Sequence, residues 1–199
     1  MRPRAQGFSV SELTVVLAVV ACGFFVGVLP LLRATAALRV RLAAAEMVAA
    51  LRTAQSRAVR DDANVAVHFT TDAAGAVSFA LYRDGDGDGV RNDDIRAGID
   101  PEIAPPRRLA HVGREVRLGL PSGRPVRDPG DPHAWLDLAA GPVRFNRSDL
   151  ASFSPLGGAT PGSLYLTDGG DCLAVVRVFG TTGKMRVLTY DFPSGQWRP

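Results

Sequence analysis

The chain has 199 residues, of which 46% are hydrophobic, and its 23 basic and 20 acidic residues give a formal net charge of +3. This length accommodates one membrane segment and one modest globular domain, and it excludes a second large core. So small a charge excess does not by itself argue for nucleic acid as a partner. Cys22 lies in an apolar run and Cys172 in the expected globular part, so we expect no disulfide.

The first predicted element is a membrane-spanning helix. Residues 13–32 are almost wholly apolar, and about 20 helical residues cross a hydrocarbon core of about 30 Å. A cleaved signal peptide has a shorter apolar run followed by a small-x-small site, whereas arginines follow this run. We therefore assign residues 8–32 to a transmembrane helix that stays in the mature chain.

Beyond Pro30 the pattern becomes that of an amphipathic helix over residues 33–62. Polar residues at 61–64 favour its end. The apolar positions that we expect on its packing face recur at spacings of three and four, namely Leu38, Leu42, Ala45, Met47 or Val48, Leu51, Ala54 and Ala58.

Residues 63–199 show the period-two pattern of a β-rich head domain. Connections rich in Gly, Pro and Asp separate the runs, and the longest irregular stretch is expected over 84–132. The fold class is therefore α+β, with a long N-terminal helix packed on an antiparallel β domain. The predicted strands cover 65–69, 77–83, 115–118, 143–145, 163–166, 173–179 and 185–191.

The segment Gly7-Phe8-Ser9-Val10-Ser11-Glu12-Leu13 stands directly before the apolar run, behind a short leader that contains Arg2 and Arg4. It resembles the cleavage and methylation site of type IV prepilins and pseudopilins, although Ser9-Val10 departs from the commonest version. The resemblance implies that residues 1–7 are a leader removed by prepilin peptidase. It also implies that the new terminal Phe8 is N-methylated and that Glu12, then the fifth residue, serves assembly.

The carboxylate of Glu12 has two interpretations. An acid inside a membrane helix costs roughly 2.5 to 3.5 kcal/mol at the centre and less near the interface, so Glu12 needs a partner. The α-amino group of Phe8 on a neighbouring subunit would supply one and set axial register. Alternatively, Glu12 is an acid favoured by the helix N-terminus, and Gly7 is an ordinary flexible residue.

The second half of the chain is similar to the H-type minor pseudopilins and related minor pilins, a GspH/FimT-like family. The segments that carry this similarity are 51–65, Phe153-Ser154-Pro155-Leu156-Gly157-Gly158, 162–166 and Gly183-Lys184-Met185-Arg186. It implies a structural subunit, not an enzyme, in a bacterial inner membrane with a periplasmic head. Such a subunit assembles with other pseudopilins near the filament tip of a type II secretion system. The alternative is a minor type IV pilin for pilus assembly or DNA uptake.

An acidic loop follows the second predicted strand and resembles a calcium-binding loop. Oxygen-bearing side chains recur at alternate positions, and Gly89 falls at the sharp turn. The twelfth position is Ile95, so closure would come from Asp93, Asp94 or Asp100. The alternative is that Asp-Gly pairs simply make turns. The proposed ligands are Asp84, Asp86, Asp88, Asn92 and Asp94.

A basic stretch lies among prolines and glycines and is interpreted as a solvated loop, with contact to phosphates or an acidic partner as the alternative. Its members are Arg107, Arg108, Arg114, Arg117, Arg124 and Arg127. The C-terminal Trp197 and Arg198 resemble the end of some DNA-binding minor pilins only weakly. The histidines, His68, His111 and His133, lack metal-ligand spacing, so no catalytic constellation is predicted.

Overall fold

The computed structural model describes residues 9–74, 76–112, 115–146 and 148–199. Helices and antiparallel sheets are both present, so the predicted α+β class is confirmed. Contacts divide the chain into two compact units, Met1–Ala37 and Leu38–Pro199. One continuous helix, α1 (Val10–Asp61), contributes to both units.

The head contains a short helix and, in the described residues, ten strands in two antiparallel sheets. The first sheet has the order β3-β2-β1-β6, and the second has the order β10-β9-β8-β7-β4, with β5 also paired to β7. The elements are β1 (Val65–Thr71), β2 (Val77–Arg83), α2 (Asn92–Ala97), β3 (Glu102–Arg108), β4 (Arg117–Leu118), β5 (Val143–Phe145), β6 (Leu150–Phe153), β7 (Gly162–Thr167), β8 (Leu173–Val178), β9 (Met185–Asp191) and β10 (Gln196–Arg198).

The N-terminal part of α1 is apolar on all sides. Val10–Val28 is long and apolar enough to cross a membrane, and none of it is buried within the protein. Large side chains such as Phe24 and Phe25 are exposed. This span overlaps the predicted transmembrane segment and begins within its first turn.

From Leu38 onward, α1 buries one face in the head. The prediction of which residues form this face is wrong in part. Leu38, Leu42 and Ala45 are exposed. The alanine-rich sequence offers small apolar residues on several sides, so spacing alone did not determine which side packs. The buried side chains are Val40, Ala43, Ala44, Met47, Ala50, Leu51, Ala54 and Ala58.

This helix face and both sheets share one hydrophobic core. Met47 and Leu51 belong to the same buried cluster as Val67 of β1 and Val176 of β8. The helix ends at Asp61, and Asp62 follows in the left-handed region with φ 47°. Polar residues thus terminate the helix where the sequence predicted.

A second buried cluster includes residues of the connection between β4 and β5. Val126 and Leu136 of this connection pack with Tyr165, Val175 and Tyr190 of the second sheet. Their burial shows that this part of the predicted irregular stretch is tied to the sheet.

The irregular stretch expected over 84–132 is interrupted, contrary to the prediction, by α2 and β3, whereas β4 lies within the strand predicted over 115–118. Strand β3 contains Pro105 and Pro106, which argue against a strand in a sequence. It lies at the edge of its sheet, where proline is tolerated because no further strand needs its N–H groups.

The short strands β6 and β10 were also not predicted, and β10 makes Met185–Asp191 the penultimate strand. Gly157 and Gly183 adopt φ values of 87° and 58°, as expected of turn glycines. Cys22 is an exposed free thiol, and Cys172 is a half-buried one.

Candidate functional site

The predicted cleavage residues, Gly7 and Phe8, lie outside the described residues. The first described residue is Ser9, which directly precedes the first helical residue. The backbone N–H of Ser9 donates to Oε2 of Glu12 at 2.9 Å. This is one half of a capping box, in which the third helical residue satisfies the N–H of the N-cap residue.

The contact supports the local interpretation of Glu12 without excluding the intermolecular one. One carboxylate oxygen is engaged by Ser9, and a carboxylate accepts hydrogen bonds at both oxygens. The capping contact fixes the orientation of the carboxylate at the first turn. A cation approaching the N-terminal end of α1 would therefore meet a pre-oriented acid.

The acidic loop after β2 brings three carboxylates together. Oxygen atoms of Asp84, Asp86 and Asp88 lie within 4.8 Å of one another, with Asp84 buried and the other two exposed. Burial raises the pKa of Asp84, but hydrogen bonds from Asn64, Gly87 and Gly89 outweigh it and leave the pKa below its usual value. Asp84 is thus an ionised carboxylate at the base of the loop.

The other two proposed calcium ligands lie less clearly at this site. Asn92 donates from Nδ2 to Asp149 at 2.9 Å, and Asp94 is not a member of the close carboxylate group among the described residues. Arg91 forms an ion pair with Asp88, so a cation would compete with a guanidinium there. Three aspartates therefore have a suitable arrangement for a hard cation, and calcium binding stays a prediction.

Two acids that support this loop were not singled out as its structural anchors. Asp100, only 1% exposed, accepts from the N–H groups of Gly85 and Arg91 at 3.0 and 2.9 Å. Asp149 accepts from His68 at 2.9 Å as well as from Asn92. Asp149 acts across long sequence separations, so no local pattern identifies it, whereas Asp100 was already a candidate for closing the loop.

A pocket of about 720 Å³ lies between the connection that contains Trp135 and the turn joining β9 to β10. Its walls include Trp135, Tyr190, Phe192 and Trp197. The guanidinium of Arg127 lies 3.8 Å from the centre of the Trp135 ring, and Trp197 Nε1 donates to the Arg127 carbonyl at 2.7 Å. The guanidinium of Arg124 lies 4.1 Å from the centre of the Phe192 ring. The weak C-terminal signal in the sequence thus belongs to an aromatic pocket on whose rings two cations stack.

The basic stretch is dispersed over several elements. Arg107 and Arg108 are on β3 and Arg117 is on β4, while Arg124 pairs with Asp171. Arg114 lies outside the described residues. The interpretation as one loop is therefore wrong, because Arg107, Arg108 and Arg117 belong to separate strands, but these side chains are exposed to solvent as expected.

The described histidines lie at separate positions. His68 contacts Asp149, whereas His111 Nδ1 lies 3.3 Å from Glu46. The Glu46 carboxylate also accepts from the backbone N–H groups of Ala110 and His111, so it pins this connection to α1. These contacts explain His68 and His111 as structural residues.

Comparison with known proteins adds one finding. The family described as type II transport protein GspH matches residues 43–183. No curated protein and no solved structure matches the chain. The match covers the packed half of α1 and most of the head, and it leaves out the N-terminal segment and the C-terminal residues that form part of the aromatic pocket.

Proposed function

The chain belongs to the GspH family of type II transport proteins, and we propose that it is a minor pseudopilin of a type II secretion system. The family match carries this proposal, and the apolar span at Val10–Val28 supports it. The chain is made as a precursor, is cut by prepilin peptidase between Gly7 and Phe8, and is methylated on Phe8. It then joins other pseudopilins near the filament tip as a structural subunit without catalytic activity.

The apolar span supports a single-pass anchor in the bacterial inner membrane, with the head in the periplasm. Its large apolar side chains are not covered by other described parts of the chain. Exposure of so many apolar groups to water would be unfavourable, so lipid or the helices of other subunits must cover them. Before assembly lipid provides this cover, and in the filament neighbouring helices replace it.

Glu12 would connect the anchored and the assembled states. Its carboxylate is oriented by the Ser9 N–H at 2.9 Å. Removal of the leader creates a charged amine at Phe8, and a neighbouring subunit can present that amine to Glu12. In surroundings of low dielectric constant such a charge pair is stronger than in water and fixes the axial position of one subunit against the next.

Replacement of Gly7 by valine tests the cleavage step. We expect co-expression with prepilin peptidase to leave Gly7→Val as an uncut precursor, whereas Ala5→Val, a leader change of the same kind, is cut normally. Intact-mass measurement distinguishes the two forms. Normal processing of the Gly7 variant would contradict the proposed site.

Replacement of Glu12 by glutamine tests the assembly step separately. The amide keeps the size and the capping acceptor but removes the charge, so Glu12→Gln should be cut and inserted normally. It should then fail to enter filaments, as judged by co-purification with other pseudopilins. Unchanged assembly would refute the proposed charge pair.

One observation favours the alternative of a minor type IV pilin that takes up DNA. The aromatic pocket presents Trp135, 57% exposed, with Arg127 stacked on it, and aromatic faces beside cations bind single strands. DNA binding by the full chain that weakens steeply with salt and is lost in Trp135→Ala would support this alternative. Its absence leaves the secretion role.

Calcium binding by the acidic loop is a further part of the proposal. The three close aspartates support it. Calorimetric titration of the full chain with calcium should give a binding heat that disappears in Asp86→Asn/Asp88→Asn. A wild-type titration without heat would refute the site.

A further inference from the structure

A cleft lined by arginines runs beside the last turns of α1. One part, of about 320 Å³, is lined by Arg52, Thr53, Ser56, Arg57 and Arg60. A smaller part shares Thr53 and Arg57 and extends to Arg107 on β3. We call Arg52, Arg57, Arg60 and Arg107 the arginine cleft.

The positive charge of the arginine cleft is poorly compensated. Its lining contains no acidic residue. Among the described residues, ion pairs with carboxylates are formed by Arg60 but not by the other three arginines. Arg60 binds Asp61 at 2.8 Å, and the hydrogen bond from Arg60 lowers the pKa of Asp61, with a further contribution from the charge of Arg57.

Some arginines outside the cleft are paired with carboxylates. Arg39 pairs with Glu115 at 3.1 Å, and Arg108 pairs with Asp72 at 3.5 Å. Like charges that share a cleft repel one another, and a bound anion removes that repulsion. The cleft therefore favours an acidic ligand.

The spacing of the arginines indicates the form of the ligand. Arg52 and Arg60 are eight residues apart on one helix, which corresponds to about 12 Å along its axis. Arg57 lies between them and borders the part that reaches β3. Acids four residues apart on a helix repeat about every 6 Å, so they can face these guanidinium groups, which bind carboxylates through two parallel hydrogen bonds.

The other wall of the cleft disfavours two alternative modes of recognition. Strand β3 is a sheet edge, but Pro105 and Pro106 lack the N–H groups that an added strand would need. Phe79, the aromatic residue in the lining, packs against Phe69 with ring centres 6.4 Å apart. Base stacking needs a freely presented ring, so charge is the main feature on offer.

We propose that the arginine cleft binds an acidic helical segment of a neighbouring subunit in the filament. This inference rests on the proposed function, because it takes the partner to be another pseudopilin. The contact places part of the partner's helix against the head, beside the last turns of α1.

The test uses the full chain in nanodiscs of zwitterionic lipid and a fluorescent helical peptide with glutamates four residues apart. A peptide of about 15 residues is needed because shorter isolated helices are marginal. We expect binding that weakens with salt, is absent for the same peptide with glutamine at those positions, and falls about tenfold or more in Arg52→Gln/Arg57→Gln. The matched control Arg41→Gln/Arg186→Gln changes exposed arginines outside the cleft and should bind as wild type.

Three outcomes would overturn the inference. The first is that both double variants bind the peptide equally. The second is that a single-stranded DNA of similar length binds more tightly and depends on the same arginines. The third is that the chain self-associates in a salt-sensitive way and that the cleft variant does not. Tryptophan fluorescence confirms that each variant is folded. Leader cleavage is measured on the same samples, so failed peptide binding by a correctly cut chain refutes the cleft alone, whereas an uncut chain refutes the proposed function.

Discussion

The first half of α1 is apolar on all sides and the second half is amphipathic, and the apolar side chains of the two halves are buried to different extents. Leu17, in the anchor half, is 58% exposed, whereas Leu51, in the head half, is 0% exposed. The sheets of the head cover one face of the second half, while the first half has no such cover within the described chain. We therefore expect the apolar residues of α1 to contribute to head stability in the second half alone.

Truncating the same residue type in each half gives the largest expected contrast. Leu51→Ala removes side-chain volume from a packed core and should lower the free energy of unfolding by about 2–5 kcal/mol. Leu17→Ala should leave it unchanged, because Leu17 has no core contacts. Urea unfolding in detergent, followed through Trp135 and Trp197, measures both values.

Two results would contradict this difference between the halves of α1. If Leu17→Ala destabilised the head as much as Leu51→Ala, the two halves of α1 would not be energetically independent. If both were neutral, the helix would not be part of the head core.

Substitution of a glycine in the head and of one in the first half of α1 should also differ in its effect on head stability, by a smaller amount. A Cβ at Gly162 would lie 2.3 Å from the carbonyl oxygen of Arg144 and 2.3 Å from the Phe145 ring, whereas one at Gly23 meets nothing within 4 Å. We expect Gly162→Ala to destabilise the head by about 1–3 kcal/mol, a typical cost of overpacking. Gly23→Ala should leave head unfolding unchanged, and the same urea titration checks both.

A stable Gly162→Ala head would show that the β5–β7 contact is looser than the structure indicates. Loss of head stability in Gly23→Ala would instead show that the anchor half influences the head.

Much of the fold follows from local sequence patterns. The strands that were missed show where such patterns are insufficient. The bounds of β2, β5 and β9 match the prediction because alternating apolar residues are framed by turn formers. Strand β3 was missed because its prolines are permitted only at an edge, and edge position is a tertiary property. Strand β10 was missed because its sequence, Gln196-Trp197-Arg198, has a single apolar residue and so no alternation, unlike the equally short β5.

The buried face of α1 shows the limit of periodicity. Leu38 and Leu42 satisfy helical spacing as well as Val40 and Met47 do, but only the latter pair is buried. With alanine on several sides of the helix, the shape of the sheets decides which face packs. A sequence therefore predicts that such a helix packs more reliably than which side does.

The candidate sites divide in the same way. The aspartates of the acidic loop and Asp100 stand out in the sequence, whereas Asp149 acquires its role through the distant partners His68 and Asn92. The arginine cleft joins Arg57 to Arg107, fifty positions apart in the chain. Their proximity depends on the position of β3, which the sequence did not predict.

The smallest expected effect is a pH dependence confined to the head. The folded pKa of Asp84 is lowered, so its stabilisation is present above the unfolded pKa of about 3.9 and is lost as pH falls through the lower folded value. Asp84→Asn should reduce stability at neutral pH and flatten its decline below about pH 4. Asp93→Asn, at a side chain 85% exposed, is the matched control and should keep the wild-type profile.

We propose that the first half of α1 is a membrane anchor that stays in the subunit after the leader is removed. Mass spectrometry of the native protein from isolated membranes measures this directly. We predict a chain that begins at Phe8 with a methylated amine. An intact chain that begins at Met1, or one cut beyond the apolar span, would contradict the account.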